Sequence, residues 1–309
     1  MSSFESRFTT WLRRKRSALD EACANAIREG LKGLGAMELN AANASVTNLY
    51  ASDFGGGYGP GSDCDYSLKG VGPLYAGHWH GKRIHDSLSF LVPLRGVLSG
   101  QPLQIVDVGA GTGALLWAWV LIASFSREVG SPLPNHTWTS LDSSSEMLGQ
   151  GERLWTSLCK VLPAARQVVT SRPPVCGDWR TPPALPRADM VIGSFLLSRR
   201  DLGDPARTAK DLEAFLNRVS ASAFLTWTKD NKSAVLDHLK KLFSGWKDAQ
   251  ISDLFKSPLS GPLRACRSAV QEALARSGAI CEPESLEKQI IWGGATTKAY
   301  LLWMMRSSA

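Results

Sequence analysis

No stretch of the 309 residues reaches the roughly 18 uninterrupted apolar positions that a membrane span requires. The longest such run, Ala114 to Ala123, has the length and composition of a buried helix. Cysteine is sparse: the six, at 23, 64, 159, 176, 266 and 281, form no CxxC pair and no metal-ligand spacing. That excludes a disulfide framework, and with no secretory leader expected it implies a reducing, cytoplasmic setting. Histidine is equally scarce, and although His78, His80 and His85 cluster in Gly77-His78-Trp79-His80-Gly81-Lys82-Arg83-Ile84-His85, no cysteine or carboxylate completes a zinc spacing. No metal is expected. The net charge of +7 and pI near 9.2 favour an anionic partner, and with no basic tract beyond Arg13-Arg14-Lys15-Arg16 they favour nucleic acid only weakly. Ser2, Ser3 and Arg7 beside that tract have the flavour of an organelle-import sequence, which Glu5 and Asp20 oppose.

A hydrophobic content of 44% is that of an ordinary globular protein. Phe8, Trp11, Leu12, Leu19, Ala22, Ile27 and Leu31 mark one face of an amphipathic helix. Gly30, Gly33 and Gly35 close it, and Asn40 to Asn48 reads as a polar link. Residues 52 to 73 carry a glycine and proline density that neither helix nor strand tolerates, with Phe54, Tyr58 and Tyr66 among them. This is a loop, and either a lid or a plain connector. A helix is expected from Lys82 to Val97. Beyond it, strands at Leu103–Val108, Thr137–Leu141, Ala188–Gly193 and Ala223–Trp227 alternate with helices at Gly113–Arg127, Ser144–Leu158, Ala206–Arg218 and Ser233–Phe243. Such alternation implies a parallel sheet with helices on both faces. A helix from Leu263 to Ser277 and a hairpin of Glu287–Trp292 with Lys298–Met305 end the chain. The expected organisation is an N-terminal helical and glycine-rich cap on the substrate side, residues 1–100, followed by an α/β domain, residues 101–309.

The chemistry is concentrated where the first strand turns into a helix. Asp107 ends that strand, and Val108-Gly109-Ala110-Gly111-Thr112-Gly113 comes next. Glycines there let the backbone turn tightly and approach a ligand, and the helix start presents free N–H groups. The dinucleotide pattern G-x-G-x-x-G is not met, because Leu115 and Leu116 stand where its third glycine would be sought. An acid at the loop entrance would repel pyrophosphate but accept hydrogen bonds from the amino group of S-adenosylmethionine (SAM). The loop therefore resembles the first motif of the class I SAM-dependent methyltransferases, an acid followed by G-x-G-x-G. Thr137 to Asp142 is similar to that family's second strand, whose terminal acid, here Asp142 with Ser143 beside it, implies a grip on the ribose hydroxyls. Gly177-Asp178-Trp179 is similar to the third motif, which implies an acid at the adenine amino group and an apolar cover on the ring. Ala188 to Phe195 looks like the fourth, whose strand end at Ser194 faces the methyl group. The resemblance implies a Rossmann-like seven-stranded methyltransferase sheet with SAM as cofactor. Asp107, Gly109, Ala110, Gly111, Thr112, Gly113, Asp142, Ser143, Asp178, Trp179 and Ser194 would be the residues around that cofactor.

The acceptor is less sharply written. Leu115-Leu116-Trp117-Ala118-Trp119 and Glu146 to Leu154 resemble the mitochondrial small-ribosomal-subunit methyltransferase-like family, although its iron–sulfur cysteine cluster has no counterpart. That resemblance and the charge point to RNA. Lys82, Asp189, Lys229 and Glu287 occur in the order of the Lys-Asp-Lys-Glu tetrad of cap 2′-O-methyltransferases. The alternative is a small aromatic or amine metabolite, with His80 or His85 as general base and Lys82 as a contact. A third reading is an idle SAM-fold protein acting as a binding or assembly factor.

Overall fold

Strand β1 (Gln104–Val108) lies at the centre of a sheet, parallel to β2 (His136–Asp142) on one side and β5 (Met190–Ser194) on the other. The computed structural model describes residues 3–54, 64–194, 196, 203–229, 234–242, 247–251, 254–259, 263–278 and 297–303. Two short strands, β3 (Val169–Ser171), which follows the single helical turn α7 (Ala165–Val168), and β4 (Val175–Cys176), both pair with β2 and make one interrupted edge. On the other flank come β6 (Ala223–Lys229), β7 (Lys247–Ile251) and β8 (Thr297–Trp303), and the order is β3-β2-β1-β5-β6-β8-β7. Counting the interrupted edge once, this is the expected seven-stranded arrangement. All pairings are parallel except those of β8, which enters antiparallel between β6 and β7.

Helix α1 (Phe4–Leu31) starts at Ser3, whose side chain accepts from the Ser6 N–H. Its buried stripe lies against α6 (Ser145–Val161) and α10 (Arg264–Arg276). The Trp11 indole donates to Glu128 at 2.7 Å. Asp20 accepts from the backbone N–H groups of Ala265 and Cys266 at 3.0 and 3.1 Å, so α1 caps the first turn of α10, which has no side-chain cap at its own N-cap residue. The expected polar link at Asn40–Asn48 is instead the middle of α2 (Ala36–Phe54). Its alanines favour helix, and Glu38 accepts from the Gly35 N–H at 3.0 Å, half of a capping box. Of the expected loop at 52 to 73, residues 55–63 lie outside the described residues, and Val71–Tyr75 is a short helix, α3. A π-helical turn, Ala76–His80, then leads into α4 (Gly81–Leu94).

Alternation along β1 divides the interior. Val106 and Val108 join Leu141 and Val191 under α8 (Pro205–Arg218) and α9 (Ala234–Leu242), whereas Ile105 joins Trp138, Met190 and Ile192 under α1, α3, α4, α10 and α5 (Ala114–Glu128). The N-terminal hundred residues share that second cluster with the sheet. Glycine makes one of these contacts achievable: a Cβ at Gly72 on α3 would collide with the carbonyl oxygen of Glu146 on α6. Gly72→Ala is therefore expected to destabilise the fold by about 1–3 kcal/mol in urea unfolding, the usual cost of overpacking against backbone. A midpoint unchanged from wild type would contradict the close approach.

The expected strand Glu287–Trp292 falls outside the described residues. Among those described, the antiparallel partners of β8 are β6 and β7, and β7 had no sequence signal. Lys247-Asp248-Ala249-Gln250-Ile251 has one β-branched residue, and its apolar alternation is limited to Ala249 and Ile251. No helix of the described residues is long and apolar enough to cross a membrane.

Candidate cofactor site at the end of the first strand

The β1–α5 loop is held in a form that only glycine adopts easily. Gly109, Gly111 and Gly113 have φ of 69°, 54° and 74°, a left-handed region costly for residues bearing a Cβ. Gly109 and Ala110 both donate their N–H to the Leu141 carbonyl, at 2.8 and 3.1 Å, and Gly113 closes a turn onto Ala110 at 2.9 Å. Helix α5 then begins at Ala114, with Gly113 as its N-cap and no side chain capping it. Its first N–H groups are left to a ligand or to water. Asp142, at the end of β2, clamps the loop: one carboxylate oxygen accepts from the Gly111 N–H at 2.9 Å and the other from the Ser144 N–H at 2.9 Å. These two bonds use two of the roughly four acceptor positions a carboxylate offers.

The site thus lies at the carboxyl end of β1 and β2, in a sheet whose last strand runs antiparallel between its two neighbours. The chain has the class I methyltransferase fold. No family model and no curated protein matches the sequence. Among solved structures, the plantazolicin methyltransferase BpumL in complex with SAH is similar at 13% identity and a TM-score of 0.40, over 90% of this chain and 98% of that one. Magnesium protoporphyrin IX methyltransferase from Synechocystis PCC 6803 is similar at 15% identity and 0.35, over 74% and 84%. A SAM-dependent methyltransferase from Clostridium acetobutylicum is similar at 12% identity and 0.34, over 72% and 91%. These likenesses are distant, and the strand order is what assigns the fold.

Within this methyltransferase fold, five of the expected cofactor residues come together. Gly109, Asp142, Ser143, Asp178 and Trp179 line one slot of about 70 Å³. Trp179 is buried edge-on against Phe215, with ring centroids 6.2 Å apart. Val108, Leu141, Gly177, Arg180 and Leu196 complete the walls, and of these Arg180 and Leu196 were not anticipated. Arg180 chelates Asp178 through Nε and Nη2 at 2.8–3.1 Å, with both side chains more than a third exposed. A pair this exposed is worth about 0–1 kcal/mol. Arg180 therefore competes weakly with any ligand donor for Asp178. Arg180→Ala is expected to tighten SAM binding by up to about fivefold in calorimetry, and a weaker complex would instead make Arg180 a ligand contact.

Asp107 is 1% exposed, and neither of its oxygens makes a hydrogen bond of good geometry among the described residues. Burial pushes its pKa up to about 8, the neighbouring Trp138 indole N–H opposes that, and the charge of Asp142 adds to it. It lies on the face of β1 that carries Ile105, beneath α4 and α5. Asp107, Ala110, Gly111, Gly113 and Ser194 do not line the slot, and Thr112 turns its hydroxyl to His80.

The catalytic candidates also lie off the slot. His80 is fully buried, and burial pushes its pKa down to about 3. His85 on α4 is 6% exposed, with its pKa lowered by burial. Lys82 is ion-paired with Asp86 at 2.7 Å, one helical turn on. The cap-type tetrad does not assemble: Asp189 precedes β5, at the opposite end from Ser194, and bonds the Gln104 N–H at 2.7 Å. Glu287 and the Lys229 side chain lie outside the described residues.

Proposed function

We propose that this chain is a SAM-dependent methyltransferase. The observation that carries this reading is the loop from Gly109 to Gly113, in which three left-handed glycines are fixed by the acid that ends the adjacent strand. A Cβ at Gly109 would stand within contact distance of the Leu196 side chain, across the slot. A Cβ there would take up part of the slot that glycine leaves to a ligand. The donor and acceptor set fits the cofactor: Asp142 and Ser143 for a ribose, Asp178 with Trp179 for an adenine, and the open start of α5 for an amino-acid end. When bound, SAM supplies a methyl group already activated on sulfur. The chain's contribution is then to hold, orient and dry the site. Trp179 and Leu196, 7% and 2% exposed, exclude water from the slot, and Asp142 keeps the loop from relaxing.

For the acceptor we favour RNA, on the net charge of +7. A small aromatic or amine acceptor is the second reading. It draws on the apolar segment that reaches the rim of the site, where Tyr75 and Trp79 are buried and Tyr66 packs on Tyr75 at 6.2 Å. The test is transfer of tritiated methyl from SAM into fractionated cell extract, with RNA, protein and metabolite pools scored separately. Label in RNA, with binding that weakens steeply as salt rises, supports the first reading. Label in the metabolite pool supports the second. SAM bound without transfer to any pool would leave a binding or assembly factor, and no SAM binding would overturn the proposal.

A further inference from the structure

Three polar ties join residues 64–80 to the rim of the cofactor site. The Ser144 hydroxyl donates to the Tyr66 carbonyl at 2.6 Å, the Gly70 N–H donates to Glu146 at 3.1 Å, and His80 Nδ1 lies 2.9 Å from the Thr112 hydroxyl oxygen. The third is fully buried and reaches the glycine loop itself. His80 also stands edge-on to Trp117 on the first turn of α5, with centroids 5.1 Å apart and planes at 88°. One imidazole thus touches both sides of the point where the loop becomes a helix.

The local structure that puts it there is unusual. Residues 76–80 form a π-helical turn between α3 and α4, a rare irregularity that inserts one residue and shifts the register of the helix beyond it. Helix α10 presses on the turn from outside: a Cβ at Gly77 would collide with the Val270 side chain, and one at Gly81 would come within 2.8 Å of Leu263. With α10 on one side and the loop on the other, His80 is held between two rigid neighbours. Its Nε2 has no hydrogen-bond partner among the described residues. The ring stays neutral at working pH, because burial disfavours the imidazolium. This is the environment of a hydrogen-bonding strut and not of a proton acceptor for substrate.

We propose that His80 is a positioning residue of the cofactor site. Through Thr112 and Trp117 it fixes the glycine loop from the acceptor side, so that affinity for the cofactor depends on how the helical segment 71–94 is seated. The inference rests on the methyltransferase reading. Its consequence is that whatever moves this segment, an arriving acceptor included, changes cofactor affinity, and reciprocally.

The test uses the full chain and SAH binding by calorimetry. Thr112→Val removes one hydroxyl at constant shape and leaves His80 Nδ1 buried without its partner. SAH affinity should fall about tenfold at a temperature where the cofactor-free variant is still fully folded, its unfolding midpoint being lowered by the unpartnered Nδ1. His80→Leu should weaken binding similarly, His80→Asn, which keeps a hydrogen-bonding atom at the Nδ1 position, should recover most of the loss, and the Thr112→Val/His80→Leu double variant should be no weaker than either single one. Wild-type affinity in Thr112→Val, or losses that multiply in the double variant, would overturn the proposal. Wild-type protein that fails to bind SAH would overturn the cofactor reading beneath it, and the two failures are distinguishable because the second needs no variant.

Discussion

Asp142→Ala should cost at least about a hundredfold in affinity for SAM, the largest binding effect expected of any single side chain in the site. Its carboxylate receives two backbone N–H groups, from Gly111 and Ser144, and each is a charge-assisted bond of about 1.5–3 kcal/mol. Alanine removes both. It frees a loop held at φ values of 69°, 54° and 74° and takes away the acceptor that faces the slot. Ser144 is also the N-cap of α6, with its hydroxyl accepting from Met147, so the loss spreads to the start of that helix. Asp142→Asn keeps one oxygen and turns an amide against the other N–H, so it should lie between wild type and alanine. Calorimetric titration with SAH measures all three. An alanine variant within tenfold of wild type would show that the loop keeps its form unaided and that the ribose is held elsewhere.

How far the site could be read in advance depends on how local its parts are. Asp107 to Gly113 is contiguous, and its glycines answer to backbone geometry that sequence expresses directly. Asp142 was legible for a similar reason, as the acid that ends a recognisable strand. Leu196 and Arg180 were not, because a slot wall is assembled from side chains of separate connections and neither residue stands in a diagnostic pattern. The same holds for His80. A histidine beside Trp79 and Lys82 invites a catalytic reading, and only the contact with Thr112, 32 residues away, shows it buried and neutral. Composition misled at α2, where the asparagines between 40 and 48 suggested a link while alanines and the Glu38 cap sustain a helix. Asp189 illustrates the converse: order along the chain placed it among four tetrad residues, and the strand direction places it at the wrong end of the sheet.

Asp107→Asn should abolish the loss of stability that alkali causes between about pH 6.5 and 8. In the folded protein the buried carboxyl titrates at about 8, against 3.8 for an unhindered group. Between those values the folded state keeps a proton that the unfolded state has lost, so stability falls as pH rises, by about 1.4 kcal/mol per unit at full slope. Above about 8 both states are ionised and the loss is complete. The buried histidines act oppositely. His78, His80 and His136 titrate at about 4, 3 and 4 in the fold against 6.5 when exposed, so they add stability as pH rises toward 6.5 and contribute no slope beyond it. The thiols of Cys159 and Cys266 are raised above 9 and titrate later still. From about pH 6.5 to 8, then, Asp107 dominates. Cofactor-free wild type should lose about 2 kcal/mol across that interval in urea unfolding, and the asparagine variant, with nothing to ionise at that position, should hold level. Parallel curves for the two proteins would mean that Asp107 is already ionised near neutrality, held by the Trp138 indole more strongly than its burial opposes.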